Sequence, residues 1–217
     1  MVLERIHITN LGYVLMVINL LLFLVQFRNA NKSMRLFTLY LFVIAVVQFG
    51  SSYMSRNQMN NLFLSHLYFI LQFVLLGFFY LSFLKAPIQR RFVRISMAVC
   101  LALLGLQYYR DPMVFWNFNL FEIFLTSFLI VIYALFHFYN ILNESRQYYW
   151  LNTGIFIYIF VSSVLFLSGN LMSTIAIEYV DLVWTLNAIL YVVYQVFIFL
   201  EWWKGRRTRV AIGSVKE

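Results

Sequence analysis

Among the residues that could do chemistry, Glu122 stands apart, because it sits inside the apolar run 114–140. An ionised side chain costs at least ~2.5 kcal/mol in hydrocarbon, so such an acid normally faces other helices or a water-filled cavity. The remaining acidic residues can all lie at or beyond the edges of apolar runs. Asn119, Glu122, Thr126 and Tyr133 follow at i, i+3, i+7 and i+14, which puts them on one face of a helix. A second polar stripe passes through Trp184, Asn187, Tyr191 and Tyr194, with Gln195 beside it. In the third apolar run Ser65, Tyr68 and Gln72 form a stripe from which His66 is turned by ~100°, and Gln48 closes the second run.

These side chains can hold a ligand or pass a proton, and Glu122, Asn119, His66, Gln48, Trp184 and Asn187 are the candidate lining of one polar pocket. Two readings of Glu122 stay open: a ligand-linked or proton-linked group, and a protonated acid in a structural hydrogen bond. His66 either pairs with Glu122 or is an interfacial histidine with no role. The other polar side chains can equally serve as glue between membrane helices, at ~0.6 kcal/mol per interhelical bond.

Catalytic arrangements are missing. The histidines His7, His66 and His137 lie at different depths and form no His-x-x-x-His pair for zinc. There is no Gly-x-Ser-x-Gly elbow, and Ser168-Gly169 has no histidine in its own run. The last run has no lysine before Lys204 that could carry a retinal. No catalytic residue, metal ligand or cofactor is expected, and the chain reads as a non-enzyme.

The elements that position these residues follow from composition. The 217 residues are 63% hydrophobic and 11% charged, with a mean hydropathy of +0.82, whereas soluble domains carry roughly 25% charged residues. Apolar runs at 11–27, 36–54, 62–84, 92–108, 114–140, 149–170 and 181–203 predict seven spans of ~20 residues. The fold expected is an all-α, polytopic seven-transmembrane-helix bundle over 1–203, with a short basic tail over 204–217. Both prolines, Pro87 and Pro112, fall between runs and break none of them. Cys100 has no partner for a disulfide. The first ten residues lack the basic region and cleavage pattern of a signal peptide, so none is expected.

Orientation follows from Lys and Arg. Thirteen of the 16 basic residues fall in the first, third and fifth connections and after the last run: Arg28, Lys32, Arg35, Lys85, Arg90, Arg91, Arg94, Arg146, Lys204, Arg206, Arg207, Arg209 and Lys216. The positive-inside rule then predicts an outer N-terminus and a cytoplasmic C-terminus. If the fifth span starts at 114, Glu122 lies about 12 Å below its outer end. Arg28, Lys32, Arg35, Arg90, Arg91, Arg94, Arg206 and Arg207 are candidates for contact with anionic lipid or a partner protein. The net charge of +8 is thus a product of topology, and nucleic acid is not an expected partner.

One stretch carries a resemblance. Tyr149-Trp150-Leu151-Asn152-Thr153-Gly154-Ile155-Phe156-Ile157-Tyr158, closing on Leu165-Phe166-Leu167-Ser168, and Trp184-Thr185-Leu186-Asn187-Ala188-Ile189-Leu190 resemble the last two spans of seven-helix Bacteroidetes membrane modules that accompany sensor histidine kinases. Asn187 stands where that family would place a histidine, and Gln195 lies near its later asparagine. The resemblance implies a sensory module in a bacterial inner membrane that signals through a protein partner, such as a histidine kinase. An outward pocket for a small molecule or proton would shift helix packing. A scaffold or subunit of a larger membrane complex is the alternative, and a small transporter is the third reading.

Overall fold

Backbone N–H and C=O groups find no water in hydrocarbon, so an apolar chain must satisfy them within helices or a closed barrel. The computed structural model takes the helical solution. It describes residues 2–143, 146–173 and 177–213, with side chains over 5–143, 146–169 and 181–206. Seven α-helices follow one another: α1 Val2–Gln26, α2 Lys32–Arg56, α3 Leu62–Phe83, α4 Pro87–Arg110, α5 Leu120–Ile141, α6 Tyr149–Ser173 and α7 Ile177–Gly213. Two 3-10 helices, Phe27–Asn29 and Pro112–Trp116, precede α2 and α5. No strand occurs among the described residues. All seven helices are long and apolar enough to cross a membrane, and the chain is a multi-pass membrane protein.

Helix ends depart from hydropathy because caps set them. Asn31 caps α2 by accepting from Met34 N at 3.0 Å, so Lys32 and Arg35 lie on that helix and not in a loop. Pro87 opens α4, where its missing N–H is no loss, which places Arg90, Arg91 and Arg94 on the first turns of α4. Helix α7 runs to Gly213, into the segment expected as a tail, giving a helix of 37 residues and about 55 Å. Lys204 and Arg206 are exposed on it. The guanidinium of Arg206 lies 5.6 Å from the Trp202 ring centroid, and the side chain of Arg207, like those of Arg209 and Lys216, lies outside the described residues. The largest correction concerns α5. It begins at Leu120, not at 114, so Glu122 sits in its first turn and the expected depth of about 12 Å below the helix end does not hold.

The helices group into two compact units. One unit is the continuous stretch Phe27–His137. Its core is aromatic: Phe37 and Tyr40 on α2, Phe73, Phe79 and Tyr80 on α3, and Tyr133 on α5 are fully buried. Tyr133 meets Phe73 at 6.3 Å and Tyr80 at 6.2 Å between centroids, and accepts or donates a 2.8 Å hydrogen bond with Ser96 of α4. Phe83 meets His137 edge-on at 4.7 Å. Long side chains from α3 and α4 thus reach α5.

The other unit comprises Met1–Gln26 and Phe138–Glu217. Here α1 and α7 run in the same direction, joined by Arg5–Asp181 at 2.7 Å, Tyr191 to Met16 Sδ at 2.9 Å, and Asn19 Nδ2 to Gln195 Oε1 at 2.9 Å. On α6, Tyr158 stacks on Tyr194 at 4.9 Å. Glu201 of α7 accepts from Trp150 N at 3.1 Å and Leu151 N at 3.3 Å, supplying the acceptor that the first turn of α6 lacks. Gly154 allows α6 to touch α7, since a Cβ there would meet Phe197 Cβ at 2.6 Å. Gly154→Ala is therefore expected to cost roughly 1–3 kcal/mol by overpacking. Gly105→Ala meets nothing within 4 Å and should gain about 0.5–1 kcal/mol. Unfolding midpoints of the two variants in detergent should move in opposite directions.

Candidate functional site

The α4–α5 hairpin and the start of α3 build the site. Antiparallel neighbours joined by a short turn bring residues equidistant from that turn together. Gln107 and Asn119 accordingly form a reciprocal amide pair, with Asn119 Nδ2 donating to Gln107 Oε1 at 3.0 Å and Gln107 Nε2 to Asn119 Oδ1 at 3.5 Å. Asn119 also starts α5. Its C=O accepts from Ile123 N at 3.2 Å, and its side chain accepts from Glu122 N at 3.3 Å, as an N-cap does.

One turn on, the Glu122 carboxylate is 0% exposed and meets His66, which is 1% exposed. Glu122 Oε2 lies 3.0 Å from His66 Nδ1. The Tyr108 hydroxyl donates to the same carboxylate oxygen and is 2.9 Å from His66 Nδ1. On the far side of the imidazole, Nε2 lies 3.0 Å from the carbonyl oxygen of Asn117. Phe115 stacks on the His66 ring at 5.3 Å and 21°, and Tyr108 stands edge-on to it at 5.5 Å. Thr126 donates to the Glu122 carbonyl oxygen at 2.7 Å.

Donor logic restricts the protonation states. A carbonyl oxygen only accepts, so His66 Nε2 must carry a hydrogen to bond Asn117. For Nδ1 to bond Glu122 at the same time, one further proton must reside either on the imidazole, making an imidazolium beside a carboxylate, or on Glu122, whose O–H then donates to Nδ1. Both states bond every facing atom and leave the pair neutral overall, which limits the cost of burying it. Glu122 Oε1 is buried and has no hydrogen-bond partner, an open acceptor in an otherwise satisfied cluster. The arrangement can take up or release a proton, or receive one more donor.

Comparison with protein-family models, with curated proteins and with solved structures gives no match. The chemistry of the site therefore rests on its geometry alone.

Of the six sequence-predicted pocket residues, Glu122, Asn119, His66 and Gln48 belong to the unit Phe27–His137, while Trp184 and Asn187 belong to the other. Glu122, Asn119 and His66 come together in the cluster; Gln48 is half-buried on α2. Trp184 is 44% exposed and touches Phe166 at 5.7 Å. Asn187 is half-buried, with Oδ1 buried and unpartnered. The face shared by Asn119, Glu122, Thr126 and Tyr133 is buried throughout. On α3 the buried face carries His66 and Gln72, while Ser65, expected to share the Gln72 stripe, is half-exposed and bonds back to Leu62 O at 2.5 Å. Tyr108, Gln107 and Phe115 were not among the candidates. Their signal is that Gln107 and Tyr108 end one apolar run and Asn119 and Glu122 follow a short connection containing Pro112, so an antiparallel pair of helices brings them near one another.

Removing one partner strands the other. His66→Leu is expected to destabilise the protein by about 3–5 kcal/mol, whereas replacing His66 and Glu122 together by Leu should recover most of that loss. Tyr108→Phe should cost about 1–2 kcal/mol. Detergent unfolding of the three variants tests the shared proton, and a double variant no more stable than His66→Leu would contradict it.

Proposed function

We propose that the protein is a receptor-like sensory module of a bacterial inner membrane, in which the His66–Glu122–Tyr108 cluster is the switch. The observation that carries this reading is a buried imidazole–carboxylate contact of 3.0 Å between two helices that leaves one carboxylate oxygen, Glu122 Oε1, without a donor. A purely structural hydrogen bond has no use for an open acceptor, whereas a proton or a small donor molecule arriving there changes the charge or the bonding of three elements at once.

The distribution of Lys and Arg supports an outer N-terminus and a cytoplasmic C-terminus. In that orientation the cluster lies near the outer surface, and Arg28, Lys32, Arg35, Arg90, Arg91, Arg94 and the basic end of α7 face the cytoplasm. A change of helix packing then reaches a protein partner there, of which a histidine kinase is one kind, consistent with the resemblance carried by the last two spans. Anionic lipid adds ~1 kcal/mol per basic residue near the surface.

Glu122→Gln keeps the shape of the side chain and cannot ionise. In membranes where the variant assembles to the wild-type level, partner output in response to stimulus should fall at least tenfold. Affinity purification from native membranes in mild detergent names the partner and any bound small molecule. Unchanged output in both Glu122→Gln and Asn187→Leu would sink the reading.

A further inference from the structure

The residues joining α4 to α5 form a braced strap across the imidazole. Asp111 caps its 3-10 helix by accepting from Met113 N at 3.1 Å. Asn117 Nδ2 closes the other end on Met113 O at 2.9 Å. Its inner side presents two groups to His66: the Asn117 carbonyl at 3.0 Å from Nε2 and the stacked ring of Phe115. Phe115 is in turn packed by Phe63 at 6.3 Å and Trp116 at 5.7 Å. The outer side is open, and Met113 is 66% exposed.

We infer that the 111–119 strap reports the proton of the His66–Glu122 pair: it docks while the pair holds its proton and lets go when the proton leaves. This rests on the switch proposed above and names how that switch is transmitted. With the shared proton present, on either residue, Nε2–H remains free to bond Asn117. With the proton gone, a neutral imidazole has a single N–H between two acceptors, the Glu122 carboxylate and the Asn117 carbonyl. The ionised carboxylate is the stronger acceptor, so the hydrogen moves to Nδ1 and the Nε2 lone pair is left facing the carbonyl lone pairs. The groups facing the pair are Tyr108 from α4, which donates to Glu122 in either state, and Cys100, on the same helix and within electrostatic range of Glu122. Arg110 and Asp111 are charged and exposed where the strap begins. Toward His66 the strap presents only a carbonyl and a ring, and its charged residue, Asp111, is exposed and accepts from Met113 N, so no charged group facing the pair substitutes for the lost bond.

The test uses the full chain with Cys100→Ala and Met113→Cys, carrying a nitroxide at 113. Electron paramagnetic resonance is recorded across a pH series from about 5 to about 9. The correlation time of the label should shorten at least twofold as pH rises. With Glu122→Gln added, the amide donates to Nδ1 and Nε2–H stays on Asn117, so the label should remain slow throughout. Amide hydrogen exchange of 111–119 in the unlabelled chain, corrected for intrinsic pH dependence, should show the same opening. A label whose mobility does not change with pH in the otherwise wild-type chain overturns the inference, as does an identical response in Glu122→Gln. Neither readout needs the partner. A strap that opens while Glu122→Gln leaves partner output intact supports this inference and removes the signalling reading; a strap that never moves while output is lost does the reverse.

Discussion

The Glu122 carboxylate and the His66 imidazole lie side by side, 3.0 Å apart, in a buried helical interior, where one proton held between them would keep the pair neutral. The surrounding contacts satisfy and orient that pair. The Tyr108 hydroxyl supplies a second donor to the acid, the Asn117 carbonyl orients the ring, and the Gln107–Asn119 amide pair pins the hairpin that brings α4 and α5 into register. Each of these groups would be costly to bury alone. Together they form a network with one acceptor left over, which gives it both order and a place for change.

Aromatic side chains solve a different problem in the same unit. Phenylalanine and tyrosine are long enough to span helices whose backbones stay apart, and rings from α2, α3 and α5 fill the interior that small residues would leave empty. Aromatic residues make up 20% of the chain, and some rings lie at helix ends. The largest fully buried side chains, however, include Tyr40, Tyr80 and Tyr133. In the other unit the means is opposite. Gly12 and Gly154 strip away side chains on α1 and α6 so that each can meet rings of α7, Tyr191 and Phe197 respectively.

Hydropathy made the seven helices legible, because a span is a bulk property of about twenty residues. Their ends were not, because a cap is a single atom in the right place. The run from 114 looked like helix since Val114, Phe115 and Trp116 are as apolar as the first turns of α5, yet Pro112 and the Asn117 side chain hold them in a 3-10 turn. A better clue was present in Asn119-Leu120-Phe121-Glu122, the spacing of a helix start with an acid three residues after its cap. The shared face of α5 was readable from period alone. The contacts of His66 and Tyr108 were not, since which side of α3 and α4 turns inward depends on neighbours that no local pattern encodes. The role of Glu201 at the start of α6 was not legible either, since it is a contact across 51 residues.

The pairing of α1 with α7 bears on how the protein is made. One unit is a continuous stretch of chain and can pack as soon as its own helices have entered the membrane. The other unites the first helix with the last, through contacts such as Asn19–Gln195 that are 176 residues apart. At the ~5–20 residues per second of synthesis, α1 waits on the order of ten seconds or longer for its partner. During that time Asn19, 1% exposed in the finished protein, has no Gln195 to bond. Until α7 arrives, α1 is held by lipid or by the insertion machinery, and its unit is completed only once α7 has been made.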